Sequence, residues 1–97
     1  MLEGKKAVRE AIESGLCTRG RLRILRVLAE KPNELFTKYA LEKETGLRSP
    51  ELKTDLRILL KLGWITEFDY TPKKYQINMN SGAVAALVDL FRKIGYL

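Results

Sequence analysis

Four stretches of this chain carry apolar residues at three- and four-residue spacing, the period that gathers them on one face of a helix. Ala7, Val8, Ala11 and Ile12 form the first, with Arg9, Glu10 and Glu13 turned to water and Gly15 closing the pattern; residues 4–15 are predicted as a short amphipathic helix. Thr18 can cap a second helix on which Leu22, Leu25, Leu28 and Ala29 share a face, and Pro32 follows its end. Leu52, Leu56 and Leu59 define a third over residues 51–62. Val84, Leu87, Val88, Phe91 and Ile94 define a fourth, capped by Asn80 or Ser81 and ending near Gly95.

A further helix is marked by its ends. Thr37 can cap it, it runs through Leu41 to Thr45, Gly46 supplies the left-handed residue that stops it, and Ser49 and Pro50 start the next. Residues 64–68 and 74–78 are rich in aromatic and β-branched side chains, and residues 69–73 between them have turn chemistry, so this region is predicted as a hairpin. Residues 33–36 are long enough only for a bridge strand against it. In the third helix Ile58, Leu60 and Leu62 widen the apolar surface, which predicts packing on two sides, against the core and against the hairpin. Lys53, Thr54, Arg57 and Lys61 are left facing outward.

At 97 residues the chain can bury one core. The expected architecture is therefore one domain, mainly α with a small β-hairpin (α+β): an N-terminal helix in 4–15, a central unit over 18–78 and a C-terminal helix in 81–97. No apolar run approaches the roughly 18 residues of a membrane span, and no signal-peptide core is present, so a cytoplasmic protein is expected. Cys17 is the one cysteine and histidine is absent, which argues against disulfide frameworks, zinc fingers and Cys-His nucleophiles; no enzyme activity, metal or cofactor is expected. Cys17 reads as a small residue at a helix junction rather than a redox sensor. The net charge of +6 favours a polyanionic partner, and the abundance of Lys, Arg and Glu over Gln and Asn leans toward a thermophilic source.

Residues 39–47, then Leu52, Leu56 and Leu59, then Gly63, Trp64 and Ile65, then Tyr75, Gln76 and Ile77 resemble winged helix-turn-helix transcriptional regulators of bacterial and archaeal type, such as the MarR and ArsR groups. The resemblance covers residues 19–94. It implies a homodimer on double-stranded DNA, with the reader helix, residues 49–62, in the major groove and the wing, residues 69–74, on the backbone or in the minor groove. Carried over by position, Lys53, Thr54 and Arg57 would face base edges with Lys61 on the same outer side. Arg48 and Ser49, Lys38 and Tyr39, and Lys73 and Lys74 would hold phosphates. Two departures stand out. Glu42 occupies a place where such proteins keep a small residue, and no cluster of metal ligands exists, so metal-responsive release is not implied and the sequence assigns no effector.

Each of these residues has a plainer reading. Arg57 suits guanine, since its two parallel donors match O6 and N7, yet Lys53 and Arg57 could instead be held by Glu51 and Asp55 along the helix. Residues 48–61 keep four basic against two acidic side chains, which favours DNA. Arg19, Arg23 and Arg26 form a basic stripe that reads better as structural, with Glu30 placed to pair with Arg26. Trp64 could stack on a base but reads better as a clamp between reader helix and hairpin. The terminal helices exceed what a minimal winged helix needs. Val8 and Ile12 with Val84, Leu87, Val88, Phe91 and Ile94 are therefore expected to pair with a second copy rather than to fold back.

The expected function is thus a homodimeric, sequence-specific DNA-binding regulator. Two other classes compete: a winged helix used as a protein interaction module in a transcription, replication or repair assembly, and a nonspecific chromatin or architectural protein.

Overall fold

The computed structural model describes residues 2–97. In chain order it contains α1 (Leu2–Leu16), α2 (Arg19–Glu30), β1 (Phe36–Thr37), α3 (Lys38–Thr45), α4 (Ser49–Leu62), β2 (Ile65–Phe68), β3 (Lys74–Ile77) and α5 (Gly82–Lys93). Local chemistry sets most of these ends. Thr18, Thr37 and Ser81 each have extended backbone, and each side chain accepts a hydrogen bond from the N–H three residues on, at Arg21, Ala40 and Val84. Gly46 and Gly63, with φ of 75° and 77°, end α3 and α4 in the left-handed conformation, where a side chain would be strained.

The sheet is antiparallel in the order β1-β3-β2. Ile65 faces Ile77 and Glu67 faces Tyr75, while on the other side of β3 Phe36 pairs with Tyr75 and Thr37 with Lys74. The bridge strand is confined to Phe36–Thr37, starting three residues later and ending one later than the predicted 33–36, because Thr37 both pairs with Lys74 and caps α3, and residues 31–34 form a turn closed from Glu34 N–H to Lys31 C=O.

Helix α2 is the centre of the fold. Ile24 and Leu28 are fully buried, and Val27 joins them, so α2 is covered on more sides than its predicted stripe, and Leu22 is only half-buried. Around it lie Leu41 of α3, Leu52, Leu56 and Leu59 of α4, Trp64, Ile65, Tyr75 and Ile77 of the hairpin, and Val84, Val88 and Phe91 of α5. Removing a fully buried leucine such as Leu59 would forfeit roughly 2–5 kcal/mol, a large share of the stability of a domain this small.

Three expectations are corrected. Helix α1 runs from Leu2 to Leu16, and Gly15 lies inside it, buried, because the benzo ring of Trp64 occupies the space a Cβ there would need. Trp64 accordingly packs against α1 as well as closing the hairpin. The α5 stripe is divided: Val84, Val88 and Phe91 are at most 6% exposed within the chain's own core and offer nothing to a partner, whereas Ile94 is 67% exposed and Leu87 half-buried. On α1, Val8 is exposed and Ile12 half-buried. Among the described residues, no helix is long and apolar enough to cross a membrane.

Candidate nucleic-acid interface

The turn between α3 and α4 is tied from three directions. Gly46 N–H donates to Glu42 C=O at 2.9 Å, the Thr45 hydroxyl donates to Leu41 C=O and accepts from Leu47 N–H at 3.2 Å, and Arg23 of α2 reaches across to Thr45 C=O at 3.2 Å. These bonds fix where α4 begins relative to α3. Arg48 occupies the cap position in extended backbone, but its side chain accepts nothing from the N–H groups of the first turn, and Arg48 and Ser49 are both exposed. The start of α4 therefore presents unsatisfied N–H groups to solvent beside a guanidinium, an arrangement suited to an anion.

Along α4 the two faces separate cleanly. Leu52, Leu56 and Leu59 are buried, while Lys53, Thr54 and Arg57 are exposed. The Thr54 hydroxyl donates back to Pro50 C=O at 3.1 Å, which leaves its oxygen free to accept. Neither Lys53 nor Arg57 makes an ion pair among the described residues. Asp55, one of the two acids that the plainer reading sets against them, points the other way: it is 7% exposed, and its Oδ1 accepts from Arg21 Nε at 3.1 Å. Of the two acids in residues 48–61, only Glu51 remains at the surface, so the outer face is more positive than the sequence count implies.

Arg21 is the residue that sequence reasoning missed. Besides Asp55, its Nη1 donates to Ser14 C=O at 2.6 Å and lies 2.7 Å from Cys17 Sγ, so one buried guanidinium joins the end of α1, the α1–α2 junction and α4. Gly20 makes room for the pair, because a Cβ there would collide with Asp55 Oδ2. Arg21 and Asp55 are 34 residues apart, beyond the reach of helical spacing rules.

Lys38, Lys53 and Arg57 surround a shallow depression of about 200 Å³ whose other walls are Leu56, Leu60, Glu67 and Tyr75. Three cations from α3 and α4 thus meet the root of the hairpin. Glu67 is already engaged: it accepts from the Tyr75 hydroxyl at 2.9 Å and lies 3.6 Å from Lys73 Nζ. Burial of the Tyr75 phenol, then its hydrogen bond to Glu67 and that carboxylate's charge, push its pKa up to about 12.

The remaining predicted residues scatter. Tyr39 is 65% exposed, with Lys43 Nζ 4.9 Å from its ring centre, a partner that i,i+4 spacing could have revealed. Lys73 and Lys74 diverge: Lys73 turns to Glu67, whereas Lys74 lies 5.6 Å from the Tyr70 ring and lines a separate cleft beside β1. Tyr70 is exposed at the tip and stacked on Phe68 at 6.0 Å. Lys61, one turn beyond Arg57, borders the groove between α4 and α1 with Ala7, Glu10, Ala11, Ser14, Ile58 and Leu62, and so stands apart from the Lys53 and Arg57 face. Of the α2 stripe, Arg23 and Arg26 are used internally, Arg26 by Glu30 at 2.8 Å. Among the described residues, no three potential metal ligands come together.

No family model matches this chain, and no curated protein matches it in sequence. Solved structures do. The transcriptional repressor BigR from Xylella fastidiosa is similar with a TM-score of 0.77 and 21% identity, over 96% of this chain and 91% of that one. Reduced HlyU from Vibrio cholerae gives 0.76 and 19%, over 96% and 94%. The homodimeric winged helix-turn-helix DNA-binding domain of Mb0332 from Mycobacterium bovis, a possible ArsR-family transcriptional regulator, gives 0.69 and 23%, over 94% and 83%. With the tied turn at Gly46, the two-faced α4 and the hairpin behind it, this chain has the winged helix-turn-helix fold that these proteins share.

Proposed function

We propose that this protein is a homodimeric, sequence-specific regulator of transcription that acts in the cytoplasm by laying α4 in the major groove of double-stranded DNA. The observation that carries this reading is the outer face of α4, where Lys53, Thr54 and Arg57 are exposed and free of ion pairs while Asp55 is withdrawn inward to Arg21. A solvated helix face with no partner to meet has no need of that asymmetry. Arg57 offers the paired donors that read guanine, and Lys53 and Thr54 offer single contacts on either side. Arg48 and Ser49 at the start of α4, together with Lys38 and Tyr39, would hold phosphates, and Lys74 with Tyr70 would set the wing on the backbone or minor groove.

The dimer rests on the apolar surface left over. Val8 on α1, and Leu90 and Ile94 on α5, are 61%, 48% and 67% exposed, and Ile12 and Leu87 are half-buried beside them. Two copies joined there would present two reader helices to half-sites about one helical turn apart. The homodimeric state named for Mb0332 supports this reading.

The test is a fluorescence anisotropy titration of wild type and Arg57→Ala onto the duplex upstream of the protein's own coding region and onto a scrambled duplex, at two salt concentrations. A regulator prefers the native duplex at both, and the variant loses roughly 1–3 kcal/mol of that preference. Equal binding to both duplexes with a steep salt dependence would instead mark an architectural protein, and no binding an interaction module.

A further inference from the structure

A stripe of leucines holds a helix against a core but defines its rotation loosely, since dispersion and burial are nearly non-directional. On α4 that matters, because a base-reading side chain must arrive within a fraction of an ångström while Leu52, Leu56 and Leu59 would tolerate a slight roll. The polar contact buried beneath the reading face is directional. Asp55 Oδ1 meets Arg21 Nε at 3.1 Å, and the guanidinium is itself clamped by Ser14 C=O at 2.6 Å and stands beside Cys17 Sγ. Gly20 closes the other side, against Asp55 Oδ2. Both side chains are about nine-tenths buried, and Asp55 lies between Thr54 and Leu56, two residues from both Lys53 and Arg57 and so on the opposite face of the helix from them.

Stability is a poor reason for such a pair. Removing two charges from water offsets most of their attraction, and a well-packed apolar replacement is often neutral or stabilising. Directional definition of one helix orientation is what the pair adds that a leucine would not. It also runs toward α1, the helix whose Val8 contributes to the proposed dimer surface, so the same guanidinium ties the reader helix to the segment that would hold the second copy.

We infer that Arg21 and Asp55 are positioning residues for sequence discrimination: their buried ion pair sets the rotation of α4, so that Lys53, Thr54 and Arg57 meet base edges in register. This rests on the proposed DNA-reading role of α4. Neither residue contacts DNA. Replacing the pair by apolar residues of similar shape should therefore spare phosphate binding and impair discrimination.

The experiment compares wild type with the double variant Arg21→Met/Asp55→Leu, each titrated onto the native and scrambled duplexes, with folding checked by circular dichroism and urea denaturation. The expected result is a folded double variant whose affinity for scrambled DNA and whose salt dependence match wild type, while its native-to-scrambled affinity ratio falls at least tenfold. A merely structural pair would leave that ratio unchanged in folded protein, and an unchanged ratio overturns the inference. If the double variant does not fold, Arg21→Lys decides by the same ratio, since it keeps the charge and loses the fork: a reduced ratio supports positioning, and a wild-type ratio refutes it. A wild-type protein that itself shows no preference defeats the DNA-reading role instead, and is recognised before any variant is measured.

Discussion

The benzo ring of Trp64 stands where Gly15 would carry a Cβ, so the α1 backbone lies directly on the indole. The consequence opposes simple helix propensity. Alanine at a helical glycine normally stabilises by roughly 0.5–1 kcal/mol, but here the methyl must displace a rigid, buried ring, at a cost of about 1–3 kcal/mol. Gly15→Ala is expected to lower stability in urea denaturation, while Gly4→Ala in the same helix, with open space around it, is expected to be neutral or stabilising. Equal behaviour of the two variants would show that α1 does not rest on Trp64.

This contact also shows what the sequence could and could not express. Helix caps at Thr18, Thr37 and Ser81 and the stop at Gly46 are local events, settled within four residues, and they were legible. Gly15 was misread as a stop because a glycine required by packing looks the same in sequence as one required by a turn. The partner of Asp55 was illegible for a related reason: Lys53 and Arg57, each two residues away, were the cations the sequence placed nearest to it, and its actual partner lies 34 residues off. The α5 stripe was legible as apolar, but periodicity does not say which molecule covers it. Val84 and Val88 turned out to face their own core.

Lys73 and Lys74, adjacent at the wing, should contribute differently. Lys73 lies 3.6 Å from Glu67, so part of its charge is already answered, whereas Lys74 is among no ion pairs of the described residues. Glu67→Gln would release Lys73, and affinity for any duplex at low salt is expected to rise about two- to fivefold, the gain disappearing at high salt. An affinity that stays level at low salt would mean that the wing does not approach the backbone.

Tyr75 gives stability a dependence on alkaline pH. Its pKa is raised in the folded chain from 10.0 to about 12, so the folded state holds this proton more tightly than the unfolded state. The stabilisation is complete below pH 10, declines as pH rises toward 12, and is lost above that value. The readout is the difference between wild type and Tyr75→Phe in denaturation midpoints, which isolates this phenol from every other group. That difference should shrink from pH 9 to pH 12 in favour of the variant; a constant difference would place the phenol outside its contact with Glu67.

The divided α5 makes two opposite outcomes from similar substitutions. Ile94→Glu and Leu90→Glu alter exposed positions and should leave a folded chain that sediments as monomer at concentrations where wild type is dimeric. Val88→Glu, at 1% exposure, should unfold the domain, because an unpaired carboxylate would enter the core. Wild type sedimenting as a monomer at high micromolar concentration would remove the dimer from the proposed function.

The outer face of α4 can be tested as an interface without any substitution. At 97 residues the protein suits a two-dimensional amide and arginine side-chain NMR titration with the native duplex. The largest shifts are predicted at Arg48, Ser49, Lys53, Thr54 and Arg57, including the Arg57 Nε–H, with smaller ones at Lys38 and Tyr39 and near Tyr70, and little change in residues 82–93. Shifts confined to the cleft around Glu30, Glu34 and Glu44, with α4 silent, would contradict a reader helix in the groove.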